Sequence, residues 1–222
     1  MKFTNKTVYI EQGNHQYTML FIKLGFLVTN EVDKADLVCF TGGADVSPVL
    51  YKDAAHAMTH YDHWRDSKEQ RLFETCKEKG LPMVGICRGG QFLNVMSGGR
   101  MYQHVSRHTG SHHLTDLQTG DVIYVTSTHH QMMMPGKDAL LVASANLGGT
   151  REWLDGVVER RDVSDEDIEV VYYPETNCLC FQPHPEFTAP GYENMFNYFG
   201  SCLSNYLIKE KVNDQDSSTV QP

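Results

Sequence analysis

The chain has 222 residues, of which 41% are hydrophobic and 21% charged, with a formal charge of -9 and a pI near 5.6. That length supports one substantial core rather than two, and the acidic balance excludes a phosphate-tracking surface of the kind that nucleic-acid binders build from Lys and Arg. No apolar run approaches the ~20 residues that span a bilayer, and Met1-Lys-Phe-Thr-Asn-Lys6 is too polar for a signal peptide, so a cytoplasmic location without a membrane partner is expected.

Short β-rich runs alternate with helical ones along the first half. Val8-Tyr-Ile10 precedes a helical stretch over 14–24, and Leu37-Val-Cys-Phe-Thr41 precedes one over 66–79. Asp66 with Glu69 three positions later reads as a capping box, and Lys79-Gly80-Leu-Pro82 supplies the stop. Pro82–Ile86 is the next strand and 88–97 the next helix. Strands are then expected over 121–126, 139–144, 168–173 and 178–182, with a final helix over 192–208. This alternation predicts an α/β domain, a mostly parallel sheet flanked by helices. One domain over 1–209 is expected. Residues 210–222 hold too little apolar surface to offset the entropy of ordering, which predicts a loose tail.

The most informative run is Leu81-Pro-Met-Val-Gly-Ile-Cys-Arg-Gly-Gly-Gln91, where an apolar strand delivers Cys87 into a glycine-flanked turn that opens a helix. A sharp strand-to-helix turn needs small residues beside the nucleophile, and Gly85 and Gly89 meet that need. The helix N-terminus favours a thiolate over a thiol. The other five cysteines, at 39, 76, 178, 180 and 202, lack the spacing of a disulfide framework and are expected to be free.

A cysteine nucleophile needs a base, and the base needs an orienting group. Phe181-Gln-Pro-His-Pro-Glu-Phe187 offers both, because residues two apart in an extended segment face the same side and can bring Glu186 beside His184. His184 then moves the thiol proton, while Glu186 fixes its tautomer. Negative charge developing on a carbonyl oxygen needs donors. The Arg88 amide after the nucleophile and the Gly42-Gly43 backbone after a β run are the candidates. The residues alone thus support cysteine-dependent acyl transfer or hydrolysis.

Gly85-Ile-Cys-Arg-Gly-Gly-Gln-Phe-Leu-Asn-Val-Met-Ser-Gly-Gly99 followed by His184-Pro-Glu186 resembles the class I glutamine amidotransferase superfamily. Three further segments resemble its γ-glutamyl hydrolase branch, which includes γ-glutamyl-γ-aminobutyrate hydrolase: Thr41–Tyr51, Arg65-Asp66 with Glu69, and Ser127-Thr-His-His-Gln131. The resemblance implies a flavodoxin-like fold with a nucleophile elbow and a Cys87, His184, Glu186 triad at the carboxyl edge of the sheet. It implies oxyanion amides from Gly43 and Arg88, and glutamyl contacts from Gln91 and from Ser127, Thr128, His129 and His130. The reaction implied is hydrolysis of a γ-glutamyl amide through a thioester on Cys87. The alternative is a glutaminase subunit that delivers ammonia to a separate synthetase or ligase. Homodimerisation is an open option. Pro183 and Gly90 depart from the family pattern, which predicts a reshaped pocket wall, and extra sequence flanks Asp155–Glu159 over 148–154 and 162–169.

Other signals read more plainly. His104, His108, His112 and His113 have a spacing that suggests a metal site, but Thr109-Gly110 interrupts a helix there and no Asp or Glu stands among them, so a polar loop is expected. His129-His130 reads as pocket lining, and no metal or cofactor is expected. Cys178-x-Cys180 alternates as a packing strand, Met132–Met134 as core filling, and Asp162–Asp167 as a solvated loop.

Overall fold

The computed structural model describes residues 3–156, 158–163, 166–187 and 191–208; the expected tail over 210–222 lies outside them. The first half runs β1 (Thr7–Glu11), α1 (His15–Leu24), β2 (Leu27–Thr29), β3 (Leu37–Phe40), α2 (His63–Lys79), β4 (Met83–Ile86) and α3 (Arg88–Met96). Short strands follow: β5 (Arg100–Tyr102), β6 (His104–Val105), β7 (His112–Asp116), β8 (Val122–Val125) and β9 (Met132–Met134). The chain then forms β10 (Leu140–Ala145), β11 (Thr150–Asp155), β12 (Val158–Val163), β13 (Asp167–Tyr173), β14 (Cys178–Phe181) and α4 (Glu193–Cys202), which continues through a π turn over Leu203–Leu207.

Among the described residues, one nine-stranded sheet has the order β2-β1-β3-β4-β14-β13-β10-β7-β8. From β2 to β14 every neighbouring pair is parallel, and from β14 onward every pair is antiparallel. The central parallel strands β3, β4 and β14 are buried on both faces. In β14, Leu179 and Phe181 pack into the layer of α1 and α4, while Cys178 and Cys180 pack into the layer holding Phe73 of α2 and Phe92 of α3. A strand's period of two forces this division, so both neighbours of each residue must be apolar. All six cysteines are free, and Cys178 and Cys180 serve packing as expected.

Two boundaries differ from expectation. Helix α2 begins three residues early because Asp62, not Asp66, caps it: the Asp62 carboxylate accepts from Trp64 N–H at 2.9 Å and Arg65 N–H at 3.3 Å. Asp66 and Glu69 are instead buried in its first turns. Gly80 ends α2 in the left-handed conformation, as the stop signal implies. The extra sequence after β10 forms the β11–β12 hairpin, which pairs with β6 as a separate three-stranded sheet. Asp162 and Val163 lie in β12 rather than in a solvated loop, and Asp167 is buried at the start of β13.

Candidate active site

The carboxyl ends of β3, β4 and β14 lie side by side, the edge where ligands bind in open parallel sheets. Strand β4 delivers Cys87 with φ 53° and ψ -115°, a left-handed conformation at a non-glycine residue. Surrounding packing has to impose such a geometry, and the two flanking glycines make it feasible. A Cβ on Gly85 would run into the backbone of Gly89, and one on Gly89 would run into the carbonyl of Phe40. Helix α3 therefore packs directly on the sheet. The Cys87 N–H donates to Phe181 O at 2.8 Å, which locks the elbow to β14.

Beyond β14, the chain turns so that His184 is buried near Cys87. A Cβ on Gly42 would stand 3.3 Å from His184 Cε1 and 3.6 Å from Cys87 Cβ, so the end of β3 closes against both side chains. His184 Nδ1 donates to Glu186 Oε1 at 2.7 Å, and its ring stacks on Phe187 with centroids 4.8 Å apart. Thr126 Oγ1 accepts from His184 N–H at 3.0 Å. Burial works to lower the His184 pKa, but hydrogen bonds and negative charge from Cys87 and Glu186 outweigh it and push the imidazole up to about 10. The arrangement can hold an imidazolium beside the sulfur at neutral pH.

Arg88 directly follows the nucleophile, and Gly43 lies just beyond the end of β3. The Arg88 amide belongs to the first turn of α3 and has no intrahelical acceptor. The Arg88 side chain is buried and pairs with Asp66 Oδ1 and Glu69 Oε2. Arg65 completes the network: it donates to Glu69 Oε1 at 2.7 Å, to Gly42 O at 2.9 Å and to Thr41 O at 2.8 Å. Two arginines and two carboxylates of one helix thus tie the Gly42-Gly43 turn to the elbow. Gly43 takes φ 149°, and a Cβ there would collide with the Arg65 guanidinium. The capping-box reading of Asp66 and Glu69 missed this role, because S/T/D-x-x-E describes a helix start and a buried anion pair equally well.

The remaining expected residues divide. Thr128 Oγ1 lies 2.9 Å from His184 Nε2, and His130 Nε2 lies 3.2 Å from Asp45 Oδ1. Ser127 instead donates to His108 O, and His129 Nδ1 donates to Gln131 O at 2.8 Å, so both side chains are committed to buried partners. Gln91 Nε2 donates to Gln131 O at 3.2 Å and Gln182 Oε1 at 3.0 Å. Gly90 faces the β14 backbone, where a Cβ would stand 2.9 Å from Phe181 N, so it sets the helix–sheet approach and not the pocket wall. Tyr17 was not foreseen: its hydroxyl accepts from Gly42 N–H at 3.0 Å, and burial followed by the Glu186 charge pushes its pKa up. An aromatic in an amphipathic helix carries no sequence signal for such a contact.

A family model described as Peptidase C26 matches residues 18–186. The putative glutamine amidotransferase-like protein YvdE of Lactococcus lactis is 30% identical over 183 residues, covering 72% of this chain and 70% of that protein. A putative glutamine amidotransferase of Mycobacterium tuberculosis is 28% identical over 175 residues, covering 70% of this chain and 52% of that one; the match spans about half its length. A chain of the PurLQS structure from Thermotoga maritima has a TM-score of 0.60 over 89% of this chain and 97% of that one, and at 16% identity it shares the fold.

Proposed function

This chain belongs to the Peptidase C26 family and is a glutamine amidotransferase-type amide hydrolase, and we propose that it cleaves γ-glutamyl amides through a thioester on Cys87. The observation that carries this reading is the His184–Glu186 bond of 2.7 Å, on an imidazole whose pKa rises through contact with Cys87.

The chemistry follows from the positions. The Cys87 sulfur attacks the γ-carbonyl carbon, and the oxygen takes the electron pair while the Gly43 and Arg88 amides donate to it. The intermediate collapses as His184 gives its Nε2 proton to the departing amine, leaving a γ-glutamyl thioester. Water then attacks the thioester carbonyl, His184 accepts its proton, and glutamate leaves as the C–S bond breaks. Glu186 stays ionised and holds the Nδ1–H throughout. Thr128 and His130 line the approach, with Asp45 beside His130 offering an anionic acceptor for a substrate ammonium.

A panel of γ-glutamyl amides and amines, glutamine included, tests the assignment. The reading expects turnover of at least one member by the isolated chain. Activity confined to glutamine, and rising when a separate synthetase is added, would mark the ammonia-delivering subunit instead.

A further inference from the structure

The proposed triad and the proposed oxyanion turn meet at one side chain of α1. Tyr17 is buried, and its hydroxyl oxygen accepts from Gly42 N–H at 3.0 Å. The approach is close, since a Cβ on Gly42 would stand 2.9 Å from that hydroxyl. Accepting from Gly42 uses the oxygen and leaves the hydroxyl proton for another partner. Glu186 is available to take it, because the carboxylate acts on the phenol through both its charge and a side-chain hydrogen bond. Its Oε1 is held by His184, while its Oε2 is buried without a partner within bonding distance. A buried carboxylate oxygen left unpaired is costly and calls for a donor.

Gly42 is gripped at both of its peptide groups. Tyr17 holds its N–H, and Arg65 Nη1 donates to its carbonyl at 2.9 Å. In a trans peptide the Gly43 N–H points away from the Gly42 carbonyl, so Arg65 aims the proposed oxyanion donor while Tyr17 keeps the preceding peptide from swinging. Burial, followed by the Glu186 charge, pushes the Tyr17 pKa up, so the phenol keeps its proton across the neutral and mildly alkaline range. The other titratable groups around Glu186 and His184 are Cys87 and Cys39 of β3. Burial and the Glu186 charge push the Cys39 thiol up and keep it neutral. Arg65 faces the phenol from α2 and stays charged.

We propose that Tyr17 is a positioning residue that couples the two halves of the site, accepting from Gly42 N–H and donating to Glu186 Oε2. The assignment rests on the acyl chemistry proposed above and adds a residue that acts through Gly42 and Glu186. The donated proton draws part of the Glu186 charge away from His184. The imidazolium is then held firmly enough to pair with Cys87, yet it can still release its Nε2 proton to the leaving amine. One phenol thus sets both the direction of the oxyanion turn and the acidity of the general acid. Phenylalanine would fill the same space and do neither.

The test is Tyr17→Phe in the full chain, with circular dichroism to check the fold. Relieved of its donor, Glu186 puts its whole charge on His184, so the alkaline limb of kcat/KM should move to higher pH by about half a pH unit or more. This is opposite to the move expected of Glu186→Gln. At neutral pH kcat should fall about 10-fold or more with KM little changed. In the Glu186→Gln background the same substitution should barely move the limb, because the charge through which it acts is already gone. Iodoacetamide alkylation of Cys87, followed on its peptide by mass spectrometry, reads the same imidazolium without a γ-glutamyl substrate. A chain inert toward every γ-glutamyl amide should therefore still show its alkaline inflection displaced upward by Tyr17→Phe. Incorporating 3-fluorotyrosine at position 17 keeps the ring and makes the phenol a stronger donor, which should move the inflection to lower pH. Inflections unmoved in the folded Tyr17→Phe chain and with 3-fluorotyrosine would overturn the proposal. So would a limb that Tyr17→Phe moves equally with and without Glu186→Gln.

Discussion

Thr128 Oγ1 lies 2.9 Å from His184 Nε2, while Glu186 holds Nδ1 of the same ring at 2.7 Å. The imidazole is thus gripped at both nitrogens, and the proton proposed to reach the leaving amine resides at the nitrogen that Thr128 touches. Thr128→Val removes the hydroxyl at nearly constant volume. Because one such bond contributes about 0.5–1.5 kcal/mol, kcat should fall about 3- to 10-fold. Thr128→Ser should restore it, and a serine variant as slow as valine would show that the methyl group matters instead.

The Arg65 fan addresses the turn that carries Gly43. Arg65→Lys keeps the charge but cannot reach Glu69, Thr41 and Gly42 together. The expected result is a loss in kcat of about 10-fold or more with KM little changed, since the donor alignment matters most when charge develops on the carbonyl oxygen. An equal rise in KM with kcat intact would place Arg65 in substrate binding.

Stability depends on the same network. Glu69→Ala leaves the buried guanidinium of Arg88 with Asp66 alone, and breaking a buried pair in this way costs about 3–5 kcal/mol. Denaturant unfolding should show a lower midpoint at unchanged m-value. A cost within about 0.5 kcal/mol would mean that water reaches the site and solvates the charge.

The pH dependence has a definite sign. With its pKa pushed up to about 10, His184 stays an imidazolium across the neutral range, so kcat/KM should decline as pH rises through the alkaline region. The limb belongs to the thiol–imidazole pair rather than to one group. Glu186→Gln removes one support for the charge and should move the limb to lower pH. For stability, a raised folded pKa contributes fully below the ordinary histidine value of about 6.5 and is lost as pH climbs toward 10. An alkaline limb unmoved in Glu186→Gln would assign it to another group.

The parts of the fold legible in the sequence are those where local pattern and burial coincide. The apolar runs of β3, β4 and β14 stand out because a strand buried on both faces is filled almost entirely by apolar residues, and the apolar centre of β1 and the periodic helices stand out beside them. Cys87 is legible because the glycines beside it leave room for a sharp strand-to-helix turn, and the His184–Glu186 pair because Pro183 and Pro185 restrict the backbone around it. Strands β5, β6, β9, β11 and β12 carry no such signal: Val158-Glu-Arg-Arg-Asp-Val163 is polar and largely exposed. Long-range polar pairing is also silent. Nothing near His112 or His129 indicates that Glu169 will stand between them, and Arg88 shows no sign that α2 supplies both of its counterions. Such partners are chosen by strand order, which emerges only when the sheet assembles.

Rapid quenching of the chain during turnover of a γ-glutamyl amide, followed by intact-protein and peptide mass spectrometry, tests the central claim most directly. A mass gain of one γ-glutamyl group on the peptide that contains Cys87 is expected, absent from Cys87→Ala and prolonged in His184→Ala, which also turns over about 10²- to 10⁴-fold more slowly. Full turnover by Cys87→Ala, or a glutamyl adduct on a different residue, would contradict it.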